Sequence, residues 1–245
     1  MKKYAKMLTA ILLIVTIPTI IVSANPISSP TLTYTVNGVT YTVFNGLHLT
    51  TGTAVAHTHI DTNIRQPAGY FGSQARIFEN GAVRYQSPWR FNGANDWSAS
   101  ASINGATIRG MTYASRGLVR MWNGSSLSEY QPTGTNNIIG FSIGGQINSE
   151  YEININGQTH GSALDAVSND DLPELILAKD VDGNIGYVYA DDLIGDIPNT
   201  PKEAVEYMNR LQELNDIGIY SITIPLYDVD GETIIGEFEI CVDVS

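Results

Sequence analysis

Three groups of residues have the types and spacing to do chemistry. His57, His59 and Asp61 alternate along an extended segment, so two imidazoles and a carboxylate share one face, the way a strand presents metal ligands. Ser142 lies within Gly140-Phe141-Ser142-Ile143-Gly144, a formal GxSxG. With His57 as base and Asp96 as its orienting acid, it would complete a hydrolytic triad. That elbow requires a helix directly after the serine, and Gly145-Gln146-Ile147-Asn148 does not start one. The stretch reads instead as a glycine-rich linker. Asp180, Asp182 and Asn184, with Asp191 at the twelfth place, follow calcium-loop spacing. The sixth position, where such a loop turns on glycine, is Ile185, so weak calcium association at most is expected.

A fourth set is suited to binding. Tyr70, Phe71, Phe78, Tyr85, Trp89, Phe91, Trp97, Tyr113, Trp122 and Tyr130 crowd one stretch, interleaved with Arg76, Arg84, Arg90, Arg116 and Arg120. Aromatic faces stack on sugar rings and guanidinium groups hold anions, so Arg90, Trp97 and Trp122 are the candidate ligand contacts. The competing expectation is that the aromatics fill a core while the arginine stems cover its outer face.

The elements that must position these residues are mostly strands. Asn-Gly occurs at Asn37, Asn45, Asn80, Asn92, Asn104, Asn123 and Asn156, and Asp-Gly at Asp182 and Asp230. Such pairs adopt the positive φ of tight hairpin turns and predict a meander. Segments 33–36 and 39–43 alternate Thr with larger residues, as half-buried strands do. One helix is signalled, with Thr200 as N-cap, Pro201 at the first position and Glu203 closing a capping box. Val205, Met208, Leu211 and Leu214 form its expected apolar face, and Gly218 ends it. Strand pairs are expected at 175–178 with 186–189 and at 222–227 with 233–240.

Charge divides the chain. Residues 25–146 carry seven arginines against four acids, whereas residues 147–245 carry three basic residues against 21 acids. The net charge of -12 argues against a nucleic-acid backbone as partner. The expected organisation is mainly β: residues 25–146 form a β-sandwich-like module ending in a Gly-rich linker, and residues 147–245 a small acidic α+β module with one clear helix. Residues 1–24 read as a signal peptide. Lys2, Lys3 and Lys6 precede an apolar run from Met7 to Val22, and small residues then prepare cleavage after Ala24. No later run is long enough to span a membrane, and Cys241, the one cysteine, cannot form an internal disulfide.

The run Ala68-Gly69-Tyr70-Phe71-Gly72-Ser73-Gln74-Ala75-Arg76, followed by Gly117-Leu118-Val119-Arg120-Met121-Trp122-Asn123-Gly124 and reaching Tyr130, resembles a family of uncharacterised secreted Gram-positive (Firmicute) proteins. The later half, from Thr159-His160-Gly161 through Pro201-Lys202-Glu203-Ala204 to Gly236-Glu237-Phe238, is similar to the tail of the same proteins. Members often carry the name of the BlaR1 sensor metallopeptidases. Such a peptidase needs an HExxH helix, and none of His48, His57, His59 or His160 is followed by Glu. The resemblance implies export, with no activity to transfer. Together the readings describe a secreted, non-enzymatic protein that binds a cell-wall glycan or extracellular protein. The alternatives are a hydrolase using His57, Asp96 and Ser142, and a purely structural module.

Overall fold

The structure is a computed structural model describing residues 26–50, 52–108, 110–136, 138–139, 151–166 and 171–243. The expected signal peptide and the Gly-rich run with Ser142 lie outside the described residues.

The chain is mainly β. The first half contributes β1 (Ile27–Ser28), β2 (Leu32–Val36), β3 (Val39–Thr50), β4 (Thr53–Gln66), β5 (Phe71–Gln74), β6 (Arg76–Glu79) and β7 (Ala82–Gln86). It continues through β8 (Arg90–Phe91), β9 (Asp96–Ala106), β10 (Thr112–Ser115), β11 (Leu118–Trp122), β12 (Leu127–Tyr130) and β13 (Ile138–Ile139). The second half adds β14 (Glu152–Ile153), β15 (Thr159–Gly161), β16 (Leu175–Lys179) and β17 (Ile185–Tyr189). Two helices follow, α1 (Ala190–Ile194) and α2 (Pro201–Asp216), and the hairpin β18 (Ser221–Tyr227) with β19 (Ile234–Cys241) comes last.

One layer is the sheet β1-β3-β4-β9, with β2 also on β3. Its inward residues meet two further sheets. Tyr41, Val43 and Ile60 pack on Phe71, Val119 and Met121 of the sheet β12-β11-β5-β8. Leu47, Ala54 and Ala56 pack on Ile77 and Tyr113 of the longest sheet. The opposing layer bends where β5 passes into β6 at Ala75 and β10 into β11 at Arg116-Gly117. Gly117 is required at that corner, because a Cβ there would stand 1.7 Å from Thr58 Oγ1 and 2.3 Å from the Gln74 carbonyl oxygen.

The longest sheet runs β13-β10-β6-β7-β16-β17-β18-β19 and so crosses the charge boundary. The joint is parallel, Val83 of β7 against Ala178 of β16. Phe78, Val83 and Ala114 from the near-neutral half share a core with Leu164, Ile176, Val188, Leu226 and Phe238 from the acidic half. Charge sorts the surface of the two halves and does not mark a break in the sheet, because ladders are made by backbone groups that carry no net charge.

The turn signals divide into two groups. Asn37-Gly38 and Asn80-Gly81 have positive φ at both residues, and Gly124, Gly157, Gly183 and Gly231 have positive φ at their turns. Asn45-Gly46 and Asn104-Gly105 instead lie inside β3 and β9. There the glycines make room for rings: a Cβ would stand 2.0 Å from His57 at Gly46 and 2.1 Å from Tyr85 at Gly105. Asn92, also no hairpin turn, is buried and clasps the backbone at Phe71, Pro67 and Gly93.

Candidate functional site

The helix forms as its caps dictate. Thr200 Oγ1 accepts from the Glu203 amide at 3.3 Å, and the Glu203 carboxylate reaches back to the Asn199 amide at 2.7 Å. Gly218, with φ of 84°, follows its end. The inward face keeps Met208, Leu211 and Leu214 of the expected four and departs from expectation at Val205. Ala204 and Leu211 are buried, Tyr207 and Met208 half-buried, and Val205 is exposed. Two contacts set this rotation. The helix start sits on Gly69, where a Cβ would lie 2.3 Å from the Pro201 carbonyl oxygen. The Tyr207 hydroxyl accepts from the Trp89 amide at 3.2 Å.

α2 covers Trp89, Phe91, Leu118 and Leu127 with its first half only. Its second half stands off β18 and β19 and leaves a cleft of about 650 Å³. Trp89, Tyr207, Leu214, Ile222, Ile240 and Val242 form most of its apolar wall. The segment Gln86 to Trp89 is held rigidly along one side. Ser87 Oγ accepts from the Ala75 amide at 2.9 Å, Gln74 Nε2 donates to the Ser87 carbonyl at 3.1 Å, and Gln86 Nε2 donates to the Leu193 carbonyl at 2.9 Å. At the far end, Asn215 Nδ2 donates to the Val242 carbonyl at 3.0 Å and ties the helix to the chain after β19. Asp192, Asp196, Arg210 and Glu213 supply the charges around the cleft.

Cys241 also faces the cleft. Burial pushes its thiol up from the ordinary range, so it stays protonated at neutral pH and is a poor nucleophile. Burial likewise raises the Tyr207 hydroxyl, against the hydrogen bond from Trp89 and the charges of Arg210 and Arg90. The arrangement offers an apolar seat with a few polar edges, and among its lining residues no base is hydrogen-bonded to a nucleophile.

The three candidate ligand contacts separate. Arg90 on β8 is half-buried beside this cleft. Burial lowers its guanidinium, opposed by the attraction of Asp243, Cys241 and Tyr207. Trp122 is half-buried in the packing under the start of α2, its ring 6.2 Å from Tyr70. Trp97, at the start of β9, is 51% exposed, with the Arg65 guanidinium 4.5 Å over its ring. Of the ten aromatics, only Trp97 is exposed. The arginine stems do not cover an outer face as expected. Arg76, Arg84 and Arg120 are buried and turn inward to hold carbonyl groups of Arg116, Lys179, Val181 and Pro198.

Of the hydrolytic set, His57 and Asp96 are described, and they do not come together. His57 pairs across the sheet with Ser102, and Asp96 lies six residues along the same strand, roughly 20 Å away at strand rise. The Asp96 carboxylate accepts from the Trp97 amide at 2.8 Å. His57 and His59 do share a face, flanking Phe44, and His59 Nε2 lies 2.9 Å from Asp61 Oδ1. Among the described residues no three His, Cys, Asp or Glu side chains are placed to hold a metal.

Asp180, Asp182 and Asn184 form the β16–β17 turn, whereas Asp191 opens α1 beyond the five residues of β17, roughly 17 Å further on. The four therefore do not enclose one centre. Asp180 is buried and spends its carboxylate on the Asn184 amide at 2.8 Å and side chain at 2.7 Å. Burial pushes that carboxyl up, and hydrogen bonds from Asn184, Gly183 and Asp182 outweigh it and hold the group below its usual range.

The cleft was hidden from the sequence because each of its walls reads as ordinary amphipathic structure. The trace it left is a surplus: α2 and the last hairpin carry more large apolar residues than one buried face can use, and Ile217, Tyr220 and Ile222 are exposed. Among the described residues no helix is long and apolar enough to cross a membrane. No family model, curated protein or solved structure matches the chain.

Proposed function

We propose that the chain is an exported, non-enzymatic binding protein acting at or outside a Gram-positive cell envelope, and that its ligand seat is the cleft under α2. The cleft itself carries this reading. A mainly apolar hollow of about 650 Å³ falls in the size range of small-molecule sites, and its walls hold their shape through hydrogen bonds that leave the interior free. Its ligand has an apolar body, with Arg90 as the nearest of the candidate contacts.

The test is a fluorescence titration of residues 25–245 with anilinonaphthalene sulfonate, an apolar probe, followed by competition with short alkyl amphiphiles. Trp89 in the wall reports occupancy. Ile222 is half exposed, so Ile222→Asp leaves the fold intact, and it should weaken binding about tenfold or more by removing one apolar contact surface. A pull-down on purified cell walls, with and without calcium, supplies the second arm. Retention abolished by Trp97→Ala and untouched by Ile222→Asp would move the site to the exposed indole and end the cleft reading.

A further inference from the structure

The buried group for which that reading has no use is a trio at the joint between the halves. Glu79 on β6, Lys179 on β16 and Tyr113 on β10 are only 2%, 7% and 2% exposed. Lys179 Nζ contacts Glu79 Oε1, although the two residues are 100 positions apart. The Tyr113 hydroxyl donates to Glu79 Oε2 at 2.8 Å, and it accepts from the Ile108 amide at 2.7 Å, which strengthens its own donation. The carboxyl carbon of Glu79 thus has an amine on one oxygen's side and a proton donor on the other.

We propose that this is a self-modification site at which Lys179 and Glu79 condense to an intramolecular amide. A proton first passes from the ammonium to Oε1, which frees the Nζ lone pair. The Nζ lone pair then forms a bond to Cδ, and the carbonyl electrons move onto Oε2, where the Tyr113 hydroxyl stabilises the developing negative charge. A second proton leaves Nζ for the Oε1 hydroxyl, the Cδ–Oε1 bond breaks, and water departs. One amine and one carboxylic acid become one secondary amide and one water, with no oxidant, reductant or other reactant. The fold supplies the rate by holding amine and acid in contact. Lys179 also lines a cavity of about 200 Å³. The product would be a covalent brace between β6 and β16 in a chain whose single cysteine allows no internal disulfide.

Intact mass under denaturing conditions decides the matter on the wild-type chain, residues 25–245, without any substitution. The expected mass lies one water below that of the sequence. Trypsin should then release a branched product joining residues 77–84 to residues 121–202, uncut after Lys179. A full sequence mass with cleavage after Lys179 in a folded sample overturns the proposal and leaves an ion pair only, as does a water loss traced to another position. Tyr113→Phe, checked for folding by circular dichroism, should form the same amide at least tenfold more slowly, by loss of one oxyanion donor. Glu79→Gln should give the identical amide with ammonia as the leaving group. A Tyr113→Phe rate equal to wild type would remove the tyrosine from the mechanism.

Discussion

Asn45 shows how much one buried side chain can organise. Its Oδ1 accepts from Thr58 Oγ1 at 2.8 Å and from the Gly117 amide at 3.0 Å, and its Nδ2 donates to the Thr133 carbonyl at 3.1 Å. It therefore ties β3, β4, the bend before β11 and the loop after β12 in one place. Asn45→Ala orphans several buried groups and should cost roughly 3 kcal/mol, read from urea unfolding midpoints. His57 gives a pH dependence. Burial, with the nearby His59 adding to it, lowers the folded-state value below 6.5. The unfolded chain therefore binds more protons as pH falls below about 6.5, so stability is full above that value and declines as pH drops through the folded-state value. Urea midpoints at pH 7 and pH 5 should differ, and His57→Asn should shrink the difference.

At the scale of elements, the helix shows what a sequence can and cannot announce. Its start, its end and its cap chemistry were legible, because they depend on residues within a turn of one another. Thr200→Ala should cost about 1 kcal/mol and lower Tm by roughly 2–4 °C in a calorimetric scan. Its inward face was legible at Met208, Leu211 and Leu214, but the burial of Ala204 and exposure of Val205 were not, since Gly69 and Trp89, more than a hundred positions away, set the rotation. The same division holds for the Asn-Gly pairs. Those between short strands turned as local chemistry demands, while Asn45-Gly46 and Asn104-Gly105 were claimed by the rings of His57 and Tyr85 crossing over them. Of the candidate site, the arginines and tryptophans could be listed from sequence. Their separation, and the cleft itself, arise from which sheet each strand joins.

For the whole molecule, the shared sheet matters more than the contrast in charge. The near-neutral half alone would leave Phe78, Val83 and Ala114 without the acidic half's share of their core. Residues 25–146 expressed alone should bind anilinonaphthalene sulfonate diffusely and fail to show a cooperative thermal transition. Independent folding of that fragment, with sharp dispersed amide resonances, would show that the joint is dispensable.

The parallel contact between Val83 and Ala178 also sets a timetable. Synthesis runs from the N-terminus, so β7 must wait for a partner nearly one hundred residues behind it. Until β16 arrives, one edge of β7 stays open and its apolar neighbours meet water, the situation in which strands pair with the wrong chain. Contacts this distant in sequence also close slowly. Refolding from urea should therefore show a slow phase whose yield falls as protein concentration rises, and the assembly most exposed to error is the one that completes last.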